Sequence, residues 1–259
     1  MKQWLVLFKK EWLEMLRNYK LVYIPLVFIL LGILQPVSSY YMPQIIGKAG
    51  NLPEGTVIEI PVPTSGEVLV QTLGQFSQIG ALIVVLSFMG IIAAERSSGV
   101  ASLILVKPVS YISYITSKWT SAVLITFTSY LLGMLAAYYY TSLLIGNVAF
   151  SNFLKGTFVY GIWLVFLVTL TVFFSSFMKT TGMVAFLTLG LTILLSLATS
   201  LMPKWMNWSP SRLADQAYSF FVNGEPNVNF GLVLASTIVL ITVSVLASIK
   251  LFENKELID

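Results

Sequence analysis

The chain is dominated by six long apolar runs that are separated by short polar segments. Each run holds about twenty residues or more, which is the length an α-helix needs to cross the ~30 Å hydrocarbon core of a bilayer. The pattern predicts an all-α integral membrane protein whose six transmembrane helices form one domain, residues 21–252. The predicted spans are 21–41, 68–94, 117–140, 153–177, 181–201 and 229–252, followed by a polar tail at 253–259.

Residues 1–20 precede the first run and have an amphipathic pattern. At about 100° per residue, one face of a helix collects apolar side chains. These are Trp4, Leu5, Phe8, Trp12, Met15 and Leu16. Tryptophan combined with lysine is typical of a helix in the headgroup region, so we predict an interfacial amphipathic helix. An ordinary positively charged segment ahead of a span is the alternative.

The segment 95–111 lies between the second and third runs and is punctuated by glycine and proline. Val100, Leu103 and Ile104 recur at helical spacing and predict one short surface helix. Lys107-Pro108 ends it, because the residue before a proline is driven out of the helical region. A chain without a soluble domain can receive force only through such a piece. We therefore predict that this segment docks a separate motor protein.

The segment 202–228 precedes the sixth run and holds a second short helix pattern. Ser209-Pro210 predicts its start, with serine as N-cap and proline at the first position. The helix is too short to cross the bilayer, so we predict a re-entrant or interfacial external helix. Its predicted apolar face consists of Leu213, Ala214, Ala217, Tyr218 and Phe221.

Composition supports the membrane assignment and excludes several kinds of chemistry. Hydrophobic residues make up 57% of the chain and charged residues 10%, with a mean hydropathy of +0.85. Soluble domains contain roughly 25% charged residues. Cysteine and histidine are both absent, which excludes disulfides and removes the commonest general base and metal ligand. We predict no catalytic, cofactor-binding or metal-binding residue in this chain.

The distribution of basic residues predicts the orientation of the spans. With the N-terminus inside, eleven of the fifteen Lys and Arg residues lie in inner segments and four in outer segments. Inner segments of membrane proteins carry the excess of positive charge. We therefore predict that both termini and the segment 95–111 are cytoplasmic, in a multi-pass protein of the plasma membrane.

Polar residues within the predicted spans are uncharged, since no Asp, Glu, Lys or Arg lies deep in any of the six. Ion-coupled transporters and proton pumps use buried ionisable groups, so this composition disfavours them. Gln71, Gln75 and Gln78 share one face of the second span and need partners there. That face either packs against other helices or lines a translocation path, and both interpretations remain open.

Four features occur together in one known family. They are the basic amphipathic start, the six spans with both termini inside, the short external helices before the sixth span, and one motif. The motif is Glu95-Arg96-Ser97-Ser98-Gly99, followed by LILVKPVS at 103–110. The chain resembles the permease subunit of ABC-2 type (type V fold) ATP-binding-cassette transporters. It departs from the family pattern at Val100, where threonine is frequent, and at Tyr111, where arginine is frequent.

The resemblance implies a half-transporter without its own motor, and the chain contains no Walker A motif. Two copies would form a homodimer and pack with two copies of a separate ABC ATPase, which would hold ATP and Mg²⁺. The segment 95–111 would be the coupling helix, and the second and fifth spans would line the path, with Gln71, Gln75 and Gln78. The coupling residues implied are Glu95, Arg96, Gly99, Val100, Leu103, Lys107, Pro108 and Tyr111.

The function predicted in this way is the permease subunit of an ATP-driven bacterial exporter. By alternating access at the homodimer interface it would move an amphipathic or hydrophobic cargo, such as an antimicrobial or toxin peptide, an antibiotic or a lipid. Membrane lipid is an expected partner and nucleic acid is not. The first alternative is a membrane-embedded immunity or sensing subunit that binds peptide without transporting it. A secondary transporter or channel is the second alternative.

Overall fold

The computed structural model describes residues 2–49, 63–101, 106 and 109–256. Within this part, six helical stretches are long and apolar enough to cross a membrane, and the prediction of an all-α, six-span protein is confirmed. The helices are α1 (Lys2–Arg17), α2 (Lys20–Ala49), α3 (Ser65–Gln75), α4 (Ala81–Phe88), α5 (Ala93–Ser97), α6 (Tyr111–Leu144), α7 (Phe150–Phe177), α8 (Thr181–Leu201), α9 (Arg212–Asn223) and α10 (Phe230–Glu256), with a π-helical turn, Phe76–Gly80, between α3 and α4.

The second span (Ser65–Ser97) is segmented, whereas each of the other five lies within one helix. The spans agree with the predicted runs to within a few residues, and the largest change is in the third. That helix begins at Tyr111 rather than at residue 117, because the Ser110 hydroxyl accepts a hydrogen bond from the Ser113 N–H at 3.2 Å. Lys118 therefore lies about two turns inside α6 instead of at its start.

The centre of the bundle is formed by α6 and α7. α2 packs along α6, while α8, α9 and α10 pack on α7. The contact between α2 and α6 is close because two glycines, Gly32 and Gly133, face each other. A Cβ added to Gly133 would lie 2.6 Å from the carbonyl oxygen of Phe28. Small residues at such a crossing let helix backbones approach within a membrane.

Both described ends of the chain lie at the same end of the bundle. The indole N–H of Trp4 in α1 donates to the hydroxyl of Thr116 in α6 at 3.2 Å. Near the end of α10, the ring of Phe252 stacks on Tyr114 of α6, with centroids 5.2 Å apart. We call this end the termini side and the opposite end, which carries α9, the far side.

The apolar residues of α1 occupy two faces, which corrects the single face predicted from the sequence. Met15 is buried, and Trp4 and Phe8 are half-buried, on the side that meets the bundle. Leu5 and Leu16, which were expected to share that face, are exposed by 59% and 53%. The outward apolar side suits contact with lipid, so interfacial placement of α1 remains a prediction.

The predicted external helix is present as α9, but it begins at Arg212, two residues beyond Pro210. The carbonyls of Ser209 and Pro210 form a turn ahead of it, accepting hydrogen bonds from the Arg212 and Leu213 N–H groups. The predicted N-cap, Ser209, is buried elsewhere in a hydroxyl cluster. Tyr218 also departs from its predicted apolar face, because it is 43% exposed. The rest of α9 packs on α7 and α3.

Gly133→Ala tests the α2–α6 crossing. The new methyl group would overlap the Phe28 carbonyl, so we expect the free energy of unfolding to fall by about 1–3 kcal/mol. Gly74→Ala is the matched control, because a Cβ there would meet nothing within 4 Å. Thermal unfolding of the two purified variants in the same detergent compares them. Equal midpoints would contradict the close crossing.

Candidate functional site

Buried charges lie on the termini side where α1, α5 and α6 meet. The ammonium nitrogen of Lys118 in α6 is 2.8 Å from Glu11 Oε1 of α1 and 3.0 Å from Glu95 Oε1 of α5. The side chains of Lys118 and Glu11 are 1% and 5% exposed. Charges so far from solvent are costly unless they are paired. Their pairing therefore fixes the three helices relative to one another.

Two further side chains complete this arrangement. The ammonium group of Lys10 lies 3.0 Å from Glu11 and 3.0 Å from Glu14, and it also donates to Glu95, whose second oxygen accepts from the Tyr114 hydroxyl. Burial lowers the pKa of Lys10, but the carboxylates of Glu11 and Glu95 outweigh it and raise the pKa above its usual value. Lys10 thus stays charged. We name Lys10, Glu11, Glu95, Tyr114 and Lys118 the charge cluster.

The helix of the second span is broken just before Glu95, between the end of α4 and the start of α5. The hydroxyl of Ser175 in α7 accepts hydrogen bonds from the N–H groups of Ile92 and Ala93, at 3.1 and 3.0 Å, and donates to the Met89 carbonyl at 3.1 Å. Backbone groups freed at a break inside a membrane protein need such partners. Ser175 therefore makes the break a stable joint, which sequence inspection did not detect.

The two ends of the segment 95–111 meet on α10. The guanidinium of Arg96 donates to the Ser176 carbonyl at 3.4 Å, and its central carbon is 5.9 Å from the ring centroid of Phe252. Tyr111, at the other end, contacts the same ring with centroids 6.0 Å apart. Gly99 follows α5 with φ +75°, a left-handed conformation that suits glycine. The start of α6 and the end of α5 are thereby held together.

The structure places some, but not all, of the predicted coupling residues. Glu95 is buried in the charge cluster, and Arg96 and Tyr111 contact Phe252. Val100 is 38% exposed. Leu103, Lys107 and Pro108 lie outside the described residues.

The three glutamines of the second span occupy two different environments. Gln71 accepts a hydrogen bond from the Gln35 amide of α2 at 2.6 Å, and the Gln75 amide donates to the Gln35 side-chain oxygen. Gln78 instead lines a cleft. Gln71 and Gln75 precede the π turn, Phe76–Gly80, whereas Gln78 lies within it, and the residue that this turn adds rotates Gln78 away from the face of the other two.

This cleft lies between the π turn, α7, α8 and α9 and has a volume of about 330 Å³. Its polar lining is made by side chains from four separate elements, so no local motif predicts it. Among the lining residues are Ser77, Gln78, Trp163, Thr192, Ser196 and Ser211. The size is within the range of small-molecule sites. A neutral, hydrogen-bonding cleft of this kind suits an amphipathic molecule rather than a bare ion.

Comparison with known proteins agrees with the six-span plan. Residues 5–257 match the model of the family described as ABC-2 family transporter protein. The chain belongs to the ABC-2 transporter family. It is also similar to an uncharacterized transmembrane protein, YxlG, of Bacillus subtilis (strain 168), with 37% identity over 256 residues that cover 99% of both chains.

Membership in the ABC-2 family confirms the family predicted from Glu95-Arg96-Ser97-Ser98-Gly99 and the span plan. ABC-2 permeases are membrane subunits and are not themselves ATPases. This ABC-2 protein is accordingly a multi-pass transport protein of a membrane. The joint lies in the second span directly ahead of the segment that resembles a coupling helix, and Glu95, the first residue of that segment, belongs to the charge cluster.

Lys118→Met tests the charge cluster. The change leaves the buried carboxylates of Glu11 and Glu95 with one partner fewer, so we expect the free energy of unfolding to fall by about 3 kcal/mol. Lys155→Met is the matched control, since Lys155 is exposed in α7 and has no ion pair among the described residues. Unfolding of both variants in lipid nanodiscs gives the comparison.

The double variant Lys118→Met/Glu11→Gln sharpens the result. Removing both charges of one pair should recover part of the stability that the single change loses, because neighbouring effects are not additive. The cluster would have no structural role if Lys118→Met and Lys155→Met unfolded alike.

Proposed function

We propose that this ABC-2 protein is the permease subunit of an ATP-driven exporter that moves an amphipathic or hydrophobic cargo out of the cell. Two copies would assemble with two copies of a separate ABC ATPase, which would bind ATP and Mg²⁺. The observation that supports this best is the charge cluster, because it joins the start of the segment 95–111 to α1 and α6.

The proposed transmission of force follows these contacts. A displacement of the segment 95–111 by the ATPase acts first on α5, which carries Glu95 and Arg96. Ion pairs from Glu95 reach Lys10 of α1 and Lys118 of α6, and Arg96 reaches α7 and α10. Separating the buried partners Glu95, Lys118 and Glu11 is costly, so α1 and α6 would follow α5.

In this proposal the termini side is cytoplasmic. Eleven of the fifteen basic residues would then lie inside, in agreement with the positive-inside rule. The far side, with α9 and the outer end of the cleft, would face the exterior. Cargo would pass Gln78 as the two copies alternate between inward-open and outward-open arrangements.

Changes in the segment 95–111 test the docking of the ATPase. We expect alanine at Gly99, Leu103 and Pro108 to reduce co-purification with a co-expressed cassette ATPase, and to reduce the ATP hydrolysis that the permease stimulates. Asn147→Ala, at an exposed turn on the far side, is the control. If the triple variant retains both association and stimulated hydrolysis, the docking proposal fails.

Single leucine substitutions separate the two environments of the glutamines. Gln75→Leu removes an amide that bonds to Gln35, so we expect it to lower the free energy of unfolding by about 1 kcal/mol. Gln78→Leu should leave stability unchanged and slow ATP-dependent uptake of a fluorescent amphipathic peptide into inside-out vesicles.

Three outcomes of this uptake experiment are informative. Unchanged uptake with Gln78→Leu would remove that residue from the path. Peptide that binds to the wild-type vesicles but never accumulates with ATP would favour the immunity or sensing alternative. Accumulation driven by an ion gradient without the ATPase would favour a secondary transporter.

A further inference from the structure

The cleft beside Gln78 continues toward the far side into a second cavity of about 430 Å³. The two share walls at Ser196 of α8 and at Ser211 and Ala214 beside and in α9. The outer cavity adds Ser200 and, at its rim, Arg212 and Asp215. The two adjoining cavities therefore form a cleft that extends along α8 from the middle of the bundle to its outer end.

Charge is confined to the outer part of this cleft. The inner cavity is lined by hydroxyl, amide and apolar side chains and by no ionisable residue. The outer cavity has two ionisable residues, Arg212 and Asp215. A ligand that fills the cleft therefore meets neutral hydrogen-bonding groups inside and charged groups only near the exterior.

The two charged residues are not equally available. Arg212 donates from Nε to the Met206 carbonyl at 3.0 Å and from its terminal nitrogen to the Pro203 carbonyl at 2.5 Å. Two of its donors thus hold the turn between α8 and α9. The carboxylate of Asp215 accepts no hydrogen bond and forms no ion pair among the described residues. It is the acceptor that the cleft leaves open.

The surroundings of Asp215 favour a cationic partner. Desolvation raises the pKa of Asp215, and the nearby positive charge of Arg212 opposes this only in part. Asp215 is exposed at the cavity, so its carboxylate can be reached by a ligand that supplies a hydrogen-bond donor. A single carboxylate does not make the oxygen cage that Ca²⁺ or Mg²⁺ requires. An organic ammonium group, with its own apolar body, matches the site better.

The position of Asp215 relative to α8 is fixed by three buried hydroxyls. Thr199 donates to Ser209 at 2.8 Å, Ser209 and Ser211 are 2.9 Å apart, and Ser211 donates to Thr199 at 2.7 Å. The cluster ties the outer end of α8 to the start of α9. A cleft whose walls are held in this way is preorganised for a ligand.

We propose that this cleft binds an amphipathic molecule that carries a protonated amine, with the ammonium group on Asp215 and the neutral polar groups along Gln78, Thr192 and Ser196. The proposal rests on the proposed function, for which it names the chemical class of the cargo. An amine of this kind is supplied by a lysine side chain of a peptide or by the head of a long-chain alkylamine.

Binding to the purified full-length chain in lipid nanodiscs, without any ATPase, tests the proposal. The probes are a dansyl-labelled amphipathic peptide with one lysine, the same peptide with Nε-acetyl-lysine, and a dansyl-labelled dodecylamine with its N-acetyl form. We expect the free amine of at least one pair to bind about fivefold or more tightly than its acetylated form. A preference for the free amine in both pairs would indicate that the site recognises the ammonium group alone. A preference in only one pair would identify the peptide lysine or the alkylamine as the source of that group.

Three substitutions assign the preference to a residue. Asp215→Asn should abolish it, whereas Asp215→Glu, which keeps the charge, should retain it. Glu225→Gln removes an exposed acid after α9 on the same side and should also retain it. A thermal midpoint measured for each variant separates loss of binding from loss of folding. If Asp215→Asn does not fold, the amine preference of Asp215→Glu is compared with that of the wild-type chain instead.

The proposal is overturned if neither amine is preferred by the wild-type chain, or if Asp215→Asn folds and keeps the preference. Its failure is distinguishable from failure of the permease proposal. Loss of the amine preference together with loop-dependent ATPase association would remove only the binding site. An amine preference without any association with an ATPase would leave the site and remove the exporter.

Discussion

The buried ammonium group of Lys118 is the constraint on which the termini side depends. It lies inside α6, almost without solvent, and its two nearest carboxylates come from α1 and α5. Moving α5 away would leave Glu95 without either lysine, and moving α1 away would leave Lys118 with one carboxylate instead of two. Losing partners of buried charges is far more costly than losing an exposed ion pair. The charge cluster therefore sets the position of α1 on the bundle and the point where the second span ends.

The second span needs that anchoring because it is not one continuous helix. Its π turn and its break between α4 and α5 are both contacted by hydroxyls of α7. Ser77 in the π turn lies 2.8 Å from the Tyr160 hydroxyl, and Ser175 bonds to the backbone of the break. α7, the most buried of the six spans, thus supports both irregular points. Span 2 is shaped by its neighbour as much as by its own sequence.

The features that could be predicted from the sequence are those imposed by the bilayer. Six apolar runs of sufficient length predict six spans, whatever the details of packing. Pairing between distant residues has no such pattern: Glu11 and Lys118 are 107 positions apart, and a lysine near a span end is ordinarily expected to extend toward water. A π turn also leaves no signal in the periodicity of apolar residues. The sequence therefore predicts one helix face for Gln71, Gln75 and Gln78, although only Gln78 faces the cleft.

The joints in span 2 also explain how one segment of a membrane helix can move. Bending a regular helix in hydrocarbon exposes backbone groups that find no partner, at several kcal/mol for each group. At the break before α5 those groups are already bonded to Ser175, so α5 can tilt about the joint at a lower cost than an intact helix. α4 follows the π turn and packs on α8. In the proposed transport cycle, α5 would therefore tilt with the charge cluster, while α4 keeps its packing on α8, the wall that carries Thr192 and Ser196 of the cleft.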